Sequence, residues 1–241
     1  MSMLLGYRRA AQGVDPPHDH GAYTSTHKRA PKLPPIRIAH TLSEITGPRI
    51  GAEMVGAADA DLTHFAGGEA LGERIVVTGR VLDDDGRPVS NALVEIWLAI
   101  SSGRYAHDVD QHDAPLDPHF SGAGRVATRA DGIYRFATIK PAAYPWKNHQ
   151  NAWRPQHIHF SLFGPGFAAR LITQMYFPGD PLLKLDPIYL SVPDPAARER
   201  LVCMLDIDAT IPERALGYRF DIVLRGRHAT PHERDVDGGV K

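Results

Sequence analysis

The chain has 241 residues, of which 43% are hydrophobic and 23% charged, and its formal net charge is −1. This length is sufficient for one sizeable hydrophobic core with additional loops. The near-neutral charge argues against a protein that binds the nucleic-acid backbone, because no basic excess is available to displace counterions. The single cysteine, Cys203, excludes an intramolecular disulfide framework and a cysteine-rich zinc site.

Membrane insertion and secretion are not expected either. No stretch approaches the roughly 18 apolar residues that a membrane-spanning helix needs. Only a few apolar residues precede Arg8 and Arg9, which is the wrong order for a secretory signal. We therefore expect a cytoplasmic protein that binds neither membranes nor nucleic acid.

The first 70 residues are predicted to form an extended N-terminal arm. They contain several prolines, among them Pro16, Pro17 and Pro31, and their one helical signal is a short stretch at residues 41–46. Proline-rich sequence favours extended backbone. We expect this arm, residues 1–70, to pack on the core or on a partner and to be ordered by that packing.

Residues 71–241 are predicted to form a β-sandwich domain that carries the functional site. Turn signals at Asp85-Gly86 and Asp131-Gly132 separate stretches of alternating polarity. Strands are expected at residues 75–82, 92–97, 124–129, 133–139, 157–163, 170–177 and 218–224. Many short strands joined by turns indicate a mainly β, prealbumin-like sandwich with long loops and one or two short helices.

One helix is predicted within this domain, over residues 195–205. Asp194 is a suitable N-cap, and Ala197, Leu201 and Leu205 would share one face. Cys203 lies in the same apolar stretch and is expected to pack as a small hydrophobic residue.

The segment W-R-P-Q-H-I-H-F at residues 153–160 is a candidate metal site, although a His-x-His pair by itself is more often two polar residues of a strand. On a strand, His157 and His159 share one face while Ile158 and Phe160 take the other. Imidazole is a good ligand for iron, copper or zinc. Tyr105 and Tyr144 lie in flanking loops, and a phenol ionises near pH ~10 unless a strongly acidic cation such as ferric iron binds it.

A second His-x-His pair, at His18 and His20, is not expected to bind metal. It lies in the proline-rich arm, where ordering two flexible side chains costs entropy. The sequence also has no Walker-type or G-x-G-x-x-G motif, so a nucleotide cofactor is not indicated.

The motifs around the histidines resemble those of the intradiol ring-cleavage dioxygenases. The resemblance rests on Tyr-Pro-Trp at 144–146, Trp-Arg-Pro-x-His-x-His at 153–159 and Asp-Gly-x-Tyr-x-Phe at 131–136. Stretches at 103–105, 114–118, 171–177, 179–181 and 218–226 resemble the iron-bearing β chains of the protocatechuate-cleaving branch of that family. The similarity extends from about residue 20 to about residue 234.

The resemblance implies one Fe(III) per chain, with O2 and protocatechuate as the substrates. The implied iron ligands are Tyr105, Tyr144, His157 and His159. Tyr144 is implied to be catalytic as the ligand that leaves when substrate binds, and Arg154 to stabilise developing negative charge. The residues implied to contact the substrate are Tyr23, Trp146, Arg154, Gln174 and Ile188.

The resemblance also implies a partner and leaves alternatives open. A homologous α chain without the metal motif would complete an αβ protomer, and several protomers would assemble further. The nearest alternative is a catechol or hydroxyquinol 1,2-dioxygenase, although these typically carry a helical N-terminal dimerisation region that is not found here. A non-catalytic prealbumin-like module and a zinc or copper binding module are the alternatives from other classes.

Overall fold

The computed structural model describes residues 11–33, 52–146, 152–163 and 170–231. The helical signal at residues 41–46 lies outside the described residues. The strands are β1 (His64–Phe65), β2 (Gly68–Glu69), β3 (Arg74–Leu82), β4 (Leu93–Leu98), β5 (Ala123–Ala127), β6 (Ile133–Ile139), β7 (Tyr144–Pro145), β8 (Trp153–Arg154), β9 (His157–Phe163), β10 (Arg170–Tyr176), β11 (Met204–Leu205), β12 (Leu216–Arg219) and β13 (Ile222–Val223).

Two sheets form the body of the protein. The first is antiparallel with the strand order β10-β9-β4-β5, so β9 lies between two neighbours that pair along its length. The second sheet is built around β3, which pairs antiparallel with β6 and parallel with β12 and β13. The strands predicted from alternating polarity are therefore all present, which confirms the mainly β class.

The strand predicted at residues 218–224 is divided into β12 and β13. Both segments keep the same register along β3, and the interruption falls at Phe220 and Asp221. Side chains take over the pairing there, since Tyr134 donates its hydroxyl hydrogen to the Phe220 carbonyl and Asp221 accepts from the Arg80 backbone N–H. A side chain at Gly79 would collide with that same carbonyl, so the close approach requires glycine.

The hydrophobic core lies between the two sheets. Ile96 and Phe160 point inward from the first sheet, and Val77 and Phe136 point inward from the second. The Phe160 ring lies 5.2 Å from that of Phe220, so aromatic contacts join the layers. Full burial of such side chains stabilises the fold by about 1.5–3 kcal/mol each.

The helices are short and lie beside the sandwich. They are α1 (Thr26–Arg29), α2 (Pro187–Leu190) and α3 (Pro195–Glu199), with 3-10 turns at Ala52–Met54 and Pro181–Lys184. The predicted Asp194 cap is confirmed, because its side chain accepts from the Ala196 backbone N–H.

The predicted end of this helix is wrong. The Cys203 backbone N–H bonds to the Tyr176 carbonyl, and β11 then pairs with β12, so Leu205 is 51% exposed instead of facing the core. Tertiary pairing has overridden the helical spacing of the sequence. Cys203 itself is buried, as expected.

The described part of the N-terminal region packs against the sandwich. Val14 is buried among Tyr189, Val192 and Leu201, and Leu62 bonds through its backbone to Ala137 of β6. The domain boundary at residue 70 stays a prediction. Within the described ranges, no helix combines the length and the apolar character of a membrane span, and the cytoplasmic location also stays a prediction.

Candidate metal centre and substrate cavity

Strand β9 positions the two histidines. Ile158 and Phe160 enter the core, so His157 and His159 project from the opposite face of the sheet. Their Nε2 atoms lie 3.2 Å apart, close enough for both to contact one ion. Trp97 is opposite His159 on β4, and the two rings stack at 4.8 Å with an angle of 3° between their planes.

The histidine environment favours neutral imidazoles, and in His157 it leaves the lone pair on Nε2. The Nδ1 atom of His157 lies 2.7 Å from the Pro155 carbonyl oxygen, which can only accept, so Nδ1 carries the hydrogen. Burial, together with the positive charge of Arg154, holds the pKa of His157 well below its usual value and lowers that of His159 to about 3. Neutral imidazole is the metal-binding form.

Two phenols complete the cluster. The Tyr105 and Tyr144 rings are perpendicular, with centroids 5.2 Å apart. The Tyr105 ring lies 6.3 Å from the His159 ring, and the Tyr144 ring lies 5.6 Å from the His157 ring. Burial raises the pKa of both tyrosines. Within the described residues, the buried Tyr105 hydroxyl has no hydrogen-bond partner.

This donor set fits a trivalent metal ion. A buried hydroxyl without a partner is costly, and a cation in the space between the phenols would satisfy it. The same cation would stabilise the phenolate forms that burial alone disfavours. Two neutral imidazoles and two phenols that such an ion would ionise are a donor set of the kind that ferric iron takes, and the four rings lie close together.

A glycine and an aspartate position Tyr105. Gly103 has a φ of +77°, and a Cβ at this position would collide with the Ala143 carbonyl next to Tyr144. The Asp110 carboxylate accepts from the Tyr105 backbone N–H at 2.8 Å. The loop after β4 can therefore approach the Tyr144 strand closely enough to bring the two phenols together.

Arg154 lies beside the cluster and is almost completely buried. Its Nη1 atom is 3.5 Å from the Tyr144 hydroxyl, and its guanidinium carbon is 5.3 Å from the centre of the Trp146 ring. Its charge is balanced by Asp186, at 3.0 Å from Nε. Burial acts to lower the pKa of Arg154, but Tyr176 and Asp186 outweigh this effect and the pKa is raised, so the guanidinium stays charged.

A cavity of about 620 Å³ opens onto this cluster. All five residues predicted to contact substrate line it, together with His159 and Tyr144. Tyr23 reaches the cavity from the arm and packs edge-on against Trp146 at 5.3 Å, with the Arg29 guanidinium 4.9 Å from the centre of its ring. Gln174 on β10 is opposite His159 on β9, so both side chains project from the same face of the sheet and line the cavity.

The second His-x-His pair also borders the cavity. His18 and His20 line it from a segment of irregular backbone. Asp19 between them pairs with His27 at 2.6 Å. The sequence did not predict that these arm residues line the cavity, because a proline-rich segment gives no local sign of where it packs.

Asp186 and Tyr176 are the residues near the cluster that sequence reasoning missed. Tyr176 is opposite His157 on β10, two residues after Gln174, so strand alternation could have found it. The Asp-Pro pair at Asp186 predicts the start of a helix, but it gives no information on a contact with a distant arginine.

Known proteins match this chain over most of its length. Residues 45–226 match the family model described as Dioxygenase. The chain is 61% identical over 221 residues to the protocatechuate 3,4-dioxygenase beta chain of Burkholderia cepacia, which covers 91% of this chain and 94% of that protein. It is 29% identical over 208 residues to the protocatechuate 3,4-dioxygenase alpha chain of Pseudomonas putida, covering 82% and 98% of the two chains.

Solved structures agree in fold. The crystal structure of hydroxyquinol 1,2-dioxygenase from Pseudomonas putida DLL-E4 superposes with a TM-score of 0.53 at 23% identity, covering 84% of this chain and 71% of that one. Enzymes of this family generally depend on iron, in accord with the donor set described above. The family match over most of the chain and the 61% identity to a protocatechuate 3,4-dioxygenase beta chain together show that the protein is an enzyme that belongs to the intradiol ring-cleavage dioxygenase family.

Proposed function

We propose that this chain is an iron-bearing β chain that cleaves protocatechuate with O2 to give 3-carboxy-cis,cis-muconate. Tyr105, Tyr144, His157 and His159 would hold one Fe(III) per chain. The observation that carries this proposal is the convergence of two phenols and two neutral imidazoles on one space, with the Tyr105 hydroxyl buried and lacking a partner among the described residues. The 61% identity to a protocatechuate 3,4-dioxygenase beta chain supports the substrate.

The cavity suits a small carboxylated catechol. Its volume of about 620 Å³ lies within the usual range for small-molecule sites. The ring of the substrate would lie against Trp146 and Ile188, with its hydroxyl groups toward His159 and Tyr144. Its carboxylate would point to the outer part of the cavity, where Tyr23 can donate a hydrogen bond near the Arg29 charge.

The chemistry is divided between the metal and the protein. Ferric iron, when bound, would act as a Lewis acid toward the catechol oxygens and make the ring reactive toward O2. Tyr144, ionised while it holds the ion, would accept one of the two catechol protons at its phenolate oxygen as it gives up its place to the substrate, and solvent would take the other proton. Arg154, whose Nη1 atom is 3.5 Å from that oxygen, would stabilise negative charge there and on the opening ring. Apolar side chains in the cavity wall, among them Ile172 and Ile188, would limit the access of water during these steps.

We also propose a partner. The chain would pair with a homologous α chain in an αβ protomer, and protomers would assemble further. Similarity to both the beta and the alpha chain of protocatechuate 3,4-dioxygenases supports such a pairing of related chains. Co-expression with the α chain of the same organism should give a stable complex, and full activity of this chain purified alone would contradict the partner proposal.

A substrate panel tests the proposed reaction. The iron-loaded protein, with its partner chain, is given protocatechuate, catechol or hydroxyquinol at equal concentration, and O2 uptake and the product spectrum are measured. We expect the highest kcat/KM with protocatechuate and a ring-opened diacid as product. Preference for catechol or hydroxyquinol would assign the chain to another branch of the family, and cleavage next to the hydroxyl groups instead of between them would refute the mechanism.

A further inference from the structure

Three helical turns of this protein begin in the same way, and one of them is different in its surroundings. Asp180, Asp186 and Asp194 each precede a proline, and each side chain accepts a hydrogen bond from the backbone N–H two residues later. This is ordinary N-capping. Asp186 alone among these three is completely buried, and its carboxylate also contacts Arg154.

The contacts of Arg154 are divided among its nitrogens. Nε lies 3.0 Å from Asp186 Oδ1, and Nη2 lies 3.2 Å from Asp186 Oδ2. Nη2 also donates to Gln174 Oε1 at 2.6 Å and lies 3.3 Å from the Tyr176 hydroxyl. The contact of Nη1 is the Tyr144 hydroxyl at 3.5 Å. The edge of the guanidinium formed by Nε and Nη2 is thus held by Asp186 and Gln174, and Nη1 on the other side faces Tyr144.

We propose that Asp186 is a positioning residue, which fixes the plane of the Arg154 guanidinium so that Nη1 faces the reacting oxygen atoms. An arginine side chain has several rotatable bonds, and a two-point contact with a carboxylate removes that freedom. Tyr176 shares this task, because its hydroxyl lies 3.2 Å from Asp186 Oδ2 and 3.0 Å from Gln174 Oε1. This inference rests on the proposed function, in which Arg154 stabilises developing charge.

The same carboxylate connects the arginine to the cavity wall. Asp186 Oδ1 accepts from the Ile188 backbone N–H at 3.2 Å, and Ile188 lines the cavity. The two tasks of Asp186 are separable by experiment. A weakened cap would move Ile188 and alter substrate binding, so it would change KM. A misplaced Arg154 would remove an interaction made only in the transition state, so it would lower kcat.

The test compares Asp186→Asn with Asp194→Asn in the iron-loaded enzyme with its partner chain and protocatechuate as substrate. Asparagine can still cap a helix, but it carries no charge and its one acceptor oxygen cannot hold both Nε and Nη2 of Arg154 as the two carboxylate oxygens do. We expect Asp186→Asn to lower kcat about 10- to 100-fold with KM changed by less than about threefold, and Asp194→Asn to keep both constants. In an Arg154→Gln background, Asp186→Asn should cause little further loss of kcat. An unchanged kcat in Asp186→Asn, or full additivity with Arg154→Gln, would overturn the proposal.

Two further measurements keep the result decisive. If Asp186→Asn does not fold, Tyr176→Phe, which leaves both charges in place, should lower kcat several-fold at constant KM, and wild-type kcat would refute the proposal. If wild type and Asp194→Asn both fail to cleave protocatechuate, the proposed function fails instead. The crystal structure of metal-free Asp186→Asn then decides the positioning role, since an Arg154 guanidinium that stays in place contradicts it and a displaced one supports it.

Discussion

The chain carries the spacing His-x-His twice, and the two pairs have different surroundings. His157 and His159 lie on β9 between two paired strands, their Nε2 atoms are 3.2 Å apart, and two phenols face them. His18 and His20 lie in irregular backbone that lines the cavity, where Asp19 pairs with His27. We therefore expect a metal site at the first pair, where a strand fixes both side chains and other donors face them, and none at the second pair.

The largest expected effect distinguishes these two pairs directly. His159→Ala should lose most of the iron and lower kcat/KM at least about 1000-fold, roughly 4 kcal/mol of transition-state stabilisation, because one of four ligands is gone. The double variant His18→Ala/His20→Ala should retain wild-type iron content. Metal analysis of both proteins checks this, and iron loss in the arm variant but not in His159→Ala would reverse the assignment.

A smaller effect is expected from the glycine that brings Tyr105 to the site. Gly86 and Gly103 both have a φ of +77°, but a Cβ meets no atom within 4 Å at Gly86 and collides with the Ala143 carbonyl at Gly103. Gly86→Ala should lower the free energy of unfolding by about 1–2 kcal/mol with full activity. Gly103→Ala should lower the free energy of unfolding by roughly 1–3 kcal/mol more than Gly86→Ala does, which is the range for overpacking. It should also lower kcat about 100-fold, because Tyr105 is displaced.

Thermal unfolding and steady-state kinetics on both alanine variants provide the measurement. Equal activity of the two proteins would show that the approach of the Gly103 loop to Tyr144 is not needed for the site. A loss of activity in Gly86→Ala as large as that in Gly103→Ala would point to backbone strain alone as the cause.

The smallest effect concerns the contribution of the arm to substrate binding. Tyr23→Phe should raise KM for protocatechuate about 10-fold, which is roughly 1.4 kcal/mol and near the lower end of the range for a hydrogen bond to a charged group, and leave kcat nearly unchanged. Turnover of catechol, which has no carboxylate, serves as the control and should not respond. An equal change with both substrates would mean that Tyr23 shapes the cavity without recognising the carboxylate.

The parts of this account that could be predicted from the sequence are those with a local cause. Strand alternation was sufficient to separate His157 and His159 from Ile158 and Phe160, and an Asp-Pro pair was sufficient to place the start of α3. The end of that helix was mispredicted because the pairing of Met204 and Leu205 with β12 depends on distant residues.

The Arg154–Asp186 pair was missed for the same reason. The two residues are 32 positions apart, and no periodicity connects them. The gathering of Tyr105 and Tyr144 around the histidines was inferred from family resemblance, since the spacing of loop residues contains no information on how loops fold back onto a sheet. The cavity-lining role of His18 and His20 had no local sign either.

The most direct test of the central claim is the resonance Raman spectrum of the purified protein, excited in its visible absorption band. Coordination of ferric iron by Tyr105 and Tyr144 predicts enhanced tyrosinate ring vibrations that disappear when iron is removed by chelation and return when it is restored. A protein that carries zinc or copper, or iron without any tyrosinate vibration, would contradict the assignment of these phenols as ligands.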